Sequence, residues 1–422
     1  MIRWKCLLFF VLLSGPVAML QAQRDTIFEY PISQGCCPNG ITNGPDGALW
    51  FTAGYLVGRI TTSGALSYYP VSFTPQGAIA LGPDEALWFT GSDGSVGSIG
   101  RITPNGNLAQ YPTPTMNSFP QAITAGPDGA MWFTESGANN IGRITTAGVV
   151  QEYPIPTPNS YPIGIAAGPD GALWFTESVG NQIGRITTTG VITEFTLDDG
   201  LASPNWITTG PDGALWFTEL SLPAGRIGRI TTAGGVTSFV LSPEGATGHI
   251  TAGPDGALWF TGGVFNSVGR ITTSGVVTEY FLPTASSFPT GIAPGSDGAL
   301  WLVENDAGNI ARATACGIGL RLSLANSTLT INFDVGITAA ATWRAWLITG
   351  SGGSRLFKKS VQPIVPPRAF TGTLTNFSSK GNVEVFSTLS SANGITCSDE
   401  QILDIGGSGA AGEQASMPQA PQ

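Results

Sequence analysis

Between residues 25 and 315 apolar and polar positions alternate with a period of two in short runs, each closed by a Gly-, Pro-, Asp- or Thr-rich turn, and no helical period appears. Ala172-Leu173-Trp174-Phe175-Thr176 is followed by Ile183-Gly184-Arg185-Ile186-Thr187 and by Val191-Ile192-Thr193-Glu194-Phe195. One such unit predicts four antiparallel strands, over Gly164 to Ala167, Ala172 to Glu177, Ile183 to Thr187 and Val191 to Thr196. Gly168-Pro169-Asp170-Gly171 makes the first hairpin, because Pro presets φ at the second turn position and Gly tolerates positive φ at the fourth.

The unit recurs seven times. Its tryptophan stands at Trp50, Trp88, Trp132, Trp174, Trp216, Trp259 and Trp301, and its arginine at Arg59, Arg101, Arg143, Arg185, Arg229, Arg270 and, in a degraded copy, Arg312. Four strands repeated at about forty residues predict an all-β, seven-bladed propeller over residues 25–315. The seventh unit lacks an outer strand, and Thr26 to Ile32 is an orphan that matches Val150 to Ile155. The amino-terminal strand is therefore expected to complete the last blade and close the ring without an open edge. Sevenfold recurrence also makes the Trp, Arg and Asp of the repeat scaffold residues, with Trp between blades and Arg and Asp bridging strands or turns.

The Gly-Pro-Asp-Gly and Thr-Thr-x-Gly turns share one face and hardly vary. The blade-to-blade connections and the second-to-third-strand loops share the other face and do vary, as binding surfaces on a fixed scaffold do. Leading into the innermost strands, the copies read Pro38-Asn39-Gly40, Gln76-Gly77-Ala78, Pro120-Gln121-Ala122, Pro162-Ile163-Gly164, Pro204-Asn205-Trp206, Thr247-Gly248-His249 and Pro289-Thr290-Gly291. The third member is Gly or Ala in five copies but Trp206 and His249 in two neighbours, a bulky pair expected in a pocket wall. Asn39, Gln121, Asn205, Trp206, His249, Phe288 and Thr290 are the expected ligand contacts, with Phe119 and Tyr161 as further aromatics. Glu135, Glu177, Glu219 and Glu304 end second strands on this face. Each is either a repeat-encoded strand cap or, with Asp198, Asp199 and Asp306, part of an acidic mouth. Such a loop suits Mg²⁺ or Ca²⁺ by donor type, although no EF-hand spacing is present.

Residues 316–404 carry a different pattern of short alternating strands, over Leu320 to Leu324, Leu329 to Val335, Thr342 to Ile348, Phe370 to Leu374 and Asn382 to Leu389, which predicts a small immunoglobulin-like β-sandwich. Arg355 with Lys358-Lys359 reads as a solvated basic hairpin, and Trp343 and Trp346 as core and surface filler. Residues 405–422 read as a disordered tail. At the other end, Arg3 and Lys5 precede an apolar run, Leu7 to Leu13, and Gly15-Pro16, the pattern of a cleavable secretory signal over residues 1–22. A secreted or periplasmic monomer with no membrane span after cleavage is expected. Cys36, Cys37, Cys316 and Cys397 would then meet an oxidising compartment. A vicinal Cys36–Cys37 pair with a Cys316–Cys397 staple is one arrangement, and the other pairings stay open.

Composition narrows the chemistry. The chain has 422 residues, 11% of them charged, and a single histidine, His249, which rules out a di-histidine metal site within one chain. Residues 25–315 hold 8 arginines, no lysine and 22 acids, a body that repels phosphate backbones and offers no Schiff-base lysine, so nucleic acid is excluded as a partner. No Gly-x-Ser-x-Gly elbow is present, whereas glycoside hydrolysis by paired carboxylates stays open.

The blocks Trp174-Phe175-Thr176-Glu177, Ile183 to Thr187 and Thr193-Glu194-Phe195 resemble the virginiamycin B lyase (streptogramin lyase) family of seven-bladed propellers. The resemblance implies a carbon–oxygen lyase that opens cyclic depsipeptides by Mg²⁺-assisted elimination, with a base removing the proton α to the ester carbonyl and a cation stabilising the enolate-like charge. It also implies a His after Pro at the head of the inner strand in the last two blades, positions held here by Gly248 and Thr290, and a glutamate where Phe288 stands. Glu304 is a loose match to an acidic metal ligand. His249 is the candidate base but lies one residue from the family position, and on a regular strand that offset reverses a side chain. The expected outcome is a propeller that binds a small molecule, peptide or glycan at its mouth without the lyase chemistry. The lyase itself and an extracellular scaffold are the alternatives.

Overall fold

The computed structural model describes residues 27–197, 202–220, 225–241, 248–262 and 266–313 in full, and the backbone of seven strands between residues 318 and 405. The signal segment, Asp198, Asp199, Cys316 and the tail beyond Ile405 lie outside the described residues, as does the side chain of Cys397.

Each repeat folds into one four-stranded antiparallel sheet, and there are seven. In blade 4 the strands are Pro162–Ala167, Leu173–Glu177, Gln182–Ile186 and Ile192–Thr196, paired in chain order. Blade 7 takes three strands from Pro289–Pro294, Leu300–Glu304 and Asn309–Ala313, and its outer strand is Ile27–Pro31, with Ile27 opposite Ala313 and Pro31 opposite Asn309. The ring thus closes with the orphan strand of the sequence.

The tryptophans fill the space between blades. Trp132 packs with Ile165, Leu173 and Phe175 of the following blade, and Trp301 with Ile41, Leu49 and Phe51 across the seam. All seven repeat tryptophans are fully buried, each removing a large apolar surface from water. A polar triad fixes their edges. In blade 4, Trp174 Nε1 donates to Asp170 Oδ1 (3.0 Å) and Arg185 Nε to Asp170 Oδ2 (2.6 Å), and the same pairs recur in blades 1, 2, 3, 5 and 7. The arginine and tryptophan hold the Asp carboxyls below the usual carboxylate range against the opposing effect of partial burial, which in each is the largest single influence. The glycine of the Ile-Gly-Arg-Ile block has a steric cause as well. A Cβ on Gly142 would sit 2.1 Å from the Phe133 ring, which lies over it.

Carboxy-terminal to the propeller, two antiparallel sheets form. One has three strands, Ile318–Ala325, Thr328–Val335 and Arg368–Leu374, and the other has four, in the order Ser354–Val361, Ala341–Thr349, Gly381–Ser391 and Thr396–Ile405. Five of these match expected runs. The basic hairpin of Arg355 and Lys358-Lys359 is instead part of the strand Ser354–Val361, with Lys358 opposite Arg344. Among the described residues no helix is long and apolar enough to cross a membrane.

Candidate functional site

The inner strands do not begin as regular β-structure. In blade 4 Pro162 pairs Glu177 and Ile165 pairs Phe175, so Ile163 and Gly164 together oppose the single Thr176. The same break in register recurs between Pro and Ile in blades 1, 2, 3, 5 and 7. Blade 6 follows suit, with Gly248 N donating to Thr261 O (2.7 Å) and Thr261 N to His249 O (3.0 Å). A bulge re-aims side chains and suspends strict alternation. At His249 a one-residue offset therefore need not reverse the side chain.

The threonine opposite each bulge joins neighbouring blades. Thr176 Oγ1 accepts from Gly164 N (2.8 Å) and donates to Asn205 O of blade 5, while Thr218 accepts from Trp206 N (3.1 Å) and donates to Gly248 O (3.0 Å). Thr52, Thr90, Thr134 and Thr261 reach Gly77, Gln121, Ile163 and Thr290 in the same way. Blade 7 has Val303 at that position, and the Thr290 hydroxyl closes the belt by donating to Asn39 O (3.1 Å). Seven residues, Asn39, Gly77, Gln121, Ile163, Asn205, Gly248 and Thr290, thus form one ring about the axis. Asn39, Gln121, Asn205 and Thr290 lie in this belt through their backbone carbonyls.

The next position inward is crowded. A Cβ on Gly40 would approach Gly77 O to 2.8 Å and one on Gly291 would approach Asn39 O to 2.5 Å, which accounts for the small residues. The exception is at blades 5 and 6, where the inner strand of blade 6 is only Ile250–Ala252. The Trp206 and His249 rings stack there with centroids 3.4 Å apart and planes at 28°. Trp206 packs both on the cluster between blades 3 and 4 and on that between blades 5 and 6. Burial pushes the His249 imidazole down to about 3, although part of its surface stays exposed.

The strand-ending glutamates are not on the surface of the mouth. Glu135, Glu177, Glu219 and Glu304 are at most 1% exposed. Each faces the outer strand of its own blade: Glu135 lies beside Glu152, Glu177 beside Glu194 and Glu304 beside Glu29, while Ser238 Oγ donates to Glu219 Oε1 (2.9 Å). Burial first, and then the neighbouring carboxylate, raises Glu135 to about 8 and Glu177 to about 7; burial and Glu29 raise Glu304 to about 8. Neither oxygen of Glu135 or Glu177 meets a hydrogen-bond partner at full geometry, though Ser118 and Asn140 lie beside the first and Ser160 beside the second. The outer-strand partners also tie blades together, since Glu152 accepts from Thr115 N (3.0 Å) and Oγ1 (2.6 Å), and Glu29 from Thr284 N (2.9 Å) and Oγ1 (2.7 Å). Sequence reasoning missed Glu29, Glu152 and Glu194. The available signal was their recurrence in the same repeats that end the second strand in glutamate.

Among the described residues, those at the mouth do not fit a divalent cation. The Thr290 hydroxyl is committed to Asn39 O, Gly248 has no side chain, Phe288 offers only carbon, and buried Glu304 accepts from Asn309 Nδ2 (2.9 Å). Among the described residues no three His, Cys, Asp or Glu side chains converge as a cation site. Phe119, Tyr161 and Phe288, one residue outside the ring, have left-handed backbones (φ 45°, 56° and 50°) and side chains 40%, 47% and 43% exposed. Cys36 and Cys37 are exposed free thiols, and Cys37 is raised by its hydrogen bond with Cys36.

Comparison with known proteins agrees with this architecture. The chain is similar to a streptogramin B lyase of known structure, with 36% identity over 68% of this chain and 96% of that one (TM-score 0.63). It is similar to the virginiamycin B lyase of Staphylococcus aureus (38%, 68% and 98%, TM-score 0.63), and to a catalytically inactive histidine-to-alanine variant of that enzyme with quinupristin (37%, 68% and 98%, TM-score 0.64). No match was found among curated proteins. The virginiamycin B lyase family description matches residues 6–221 and 200–348, and with the solved structures it establishes that this chain belongs to the virginiamycin B lyase family.

Proposed function

We propose that this member of the family is a ligand-binding propeller that does not carry out streptogramin elimination. One observation carries the reading: the only histidine of the chain is stacked on Trp206 at 3.4 Å and held neutral, with a pKa near 3. A base that weak takes a proton from carbon poorly at neutral pH. The positions that match the family's histidines, Gly248 and Thr290, supply neither a base nor a soft nitrogen ligand. Incubation of the purified protein with quinupristin and Mg²⁺, followed by mass spectrometry, is expected to return intact cyclic depsipeptide. A linearised product would overturn the proposal and restore the lyase.

Binding is proposed at the ring of inner-strand heads, where Asn39, Gln121, Asn205, Thr290 and the stacked Trp206 and His249 are all partly exposed. The same proposal places the protein outside the cytoplasm, on the strength of the charged, apolar and Gly-Pro segments of residues 1–22. It takes the two carboxy-terminal sheets as the halves of an immunoglobulin-like sandwich, supported by their three- and four-stranded antiparallel order. Amino-terminal sequencing of the exported chain tests the first point, and expression of residues 316–405 alone tests the second.

A further inference from the structure

The ring about the axis has no charged side chain, although the propeller around it is strongly acidic. Its side chains are the Asn39, Gln121 and Asn205 amides, the Thr290 hydroxyl, one isoleucine and two glycines, and all four polar ones are partly exposed. Of the acids expected near this face, Glu135, Glu177, Glu219 and Glu304 are buried in blades 3, 4, 5 and 7, while Asp306 is exposed in the loop beside Phe288. One residue inside the ring lies a flat aromatic pair, Trp206 on neutral His249. One residue outside it stand Phe119, Tyr161 and Phe288, each exposed by 40% or more.

The backbone makes the outer aromatics conspicuous. A bulky residue at φ near 50° is strained by roughly 1–2 kcal/mol. The motif itself asks only for a carbonyl at that position, since Phe119 O, Tyr161 O and Phe288 O accept from Ser136 N, Ser178 N and Asn305 N, and Ser203 O does the same for Leu220 N in blade 5. Serine satisfies the backbone equally well. The Phe119 ring lies over Gly137, but the Tyr161 and Phe288 side chains are unexplained by the backbone motif, and they point to a partner that contacts rings.

The Gln121 and Asn205 amides and the Asn39 amide oxygen, whose Nδ2 donates to Gln76 O (2.7 Å), supply directional hydrogen bonds, and the aromatics neighbouring the ring in sequence supply stacking. An anion finds no cationic side chain in the ring and a cation finds no carboxylate, so neither sign of charge is favoured there. A neutral polyol with apolar C–H faces matches both sets of groups. On the reading that this mouth is a binding site, we propose that its ligand class is an uncharged oligosaccharide, stacked on Tyr161, Phe119 or Phe288 and hydrogen-bonded to the amide ring.

The full chain titrated calorimetrically with cellohexaose, chitohexaose, maltohexaose and xylohexaose tests this. A polygalacturonate hexamer, a capped neutral tyrosine-containing hexapeptide and quinupristin serve as the contrasting arms. At least one neutral hexasaccharide is expected to bind, with less than a twofold change between 50 and 500 mM salt. Tyr161→Ala and Phe288→Ala, both exposed positions with little role in packing, are expected to weaken that binding at least tenfold in one or both variants, with unchanged thermal unfolding. Binding of the acidic hexamer, the peptide or quinupristin alone would overturn the oligosaccharide class and leave the binding reading standing. Binding of a neutral hexasaccharide undiminished in both variants and in Asn205→Ala would place it elsewhere and overturn the site, while no binding by any probe would overturn class and binding reading together.

Discussion

Glu135→Gln is the most direct probe of the buried carboxyl pairs. Glu135 is fully buried and its pKa is raised from 4.5 to about 8, mainly by burial and next by the Glu152 carboxylate. In the folded protein it keeps a proton that the unfolded chain releases near pH 4.5. Between about pH 4.5 and 8 the folded state thus holds more protons, so stability falls as pH rises through that window. Each pH unit across it is worth roughly 1.4 kcal/mol, and the window as a whole about 2–4 kcal/mol once some relaxation around the charge is allowed. Glutamine keeps the shape and offers an N–H donor in place of the protonated carboxyl's O–H, without the titration. Urea unfolding followed by tryptophan fluorescence, at half-unit steps from pH 5 to 9 and constant ionic strength, reads the effect. The wild-type protein is expected to lose stability steadily to pH 8, and the variant to lose it less steeply by up to about one proton's worth. Superimposable slopes for the two proteins would refute the assignment of a retained proton to Glu135.

Four further outcomes follow from contacts described above. Asp170→Ala leaves Trp174 Nε1 and Arg185 without their acceptor and is expected to cost about 1–3 kcal/mol in urea unfolding; a change below 0.5 kcal/mol contradicts the triad's role. Gly142→Ala drives a Cβ into the Phe133 ring and is expected to destabilise by about 1–3 kcal/mol or more. Gly171→Ala, at φ 74° with open space around it, is expected to cost only about 1–2 kcal/mol; a reversed order sinks the steric account. Because the chain has one histidine, its imidazole proton resonance is unambiguous: it is expected not to titrate between pH 5 and 8, and to recover a pKa near 6 in Trp206→Ala. A wild-type midpoint near 6.5 would show that the stack leaves the ring in water.

The repeat made the propeller readable from sequence, because strand period, turn chemistry and the spacing of tryptophans all pointed to the same unit. Ile27–Pro31 was legible too, since it copies the outer strand of blade 3. The site was legible only in part. Trp206 and His249 stood out as bulky residues in a place reserved for Gly and Ala, but their stacking depends on the shortened inner strand of blade 6, which no local pattern announces. Glu135 and Glu177 looked like surface caps because a charged residue at a strand end normally reaches water. Each in fact lies inside the blade beside an outer-strand glutamate seventeen residues later, Glu152 or Glu194, a neighbour that only the assembled sheet reveals. The bulge at the head of each inner strand likewise depends on which residue Thr opposes, and alternation alone cannot supply that pairing.

The seam in blade 7 has a consequence for how the molecule is made. Blades 1 to 6 are continuous in sequence, so each can form from contacts within about forty residues as the chain emerges. The strand Ile27–Pro31 is synthesised first, yet its partner Asn309–Ala313 comes last, about 280 residues later. Until then the first strand stays unpaired and the sixth blade presents a bare flank. Assembly must therefore end with one slow, long-range docking step, and a chain interrupted before residue 309 leaves a horseshoe with two adhesive ends in place of a ring.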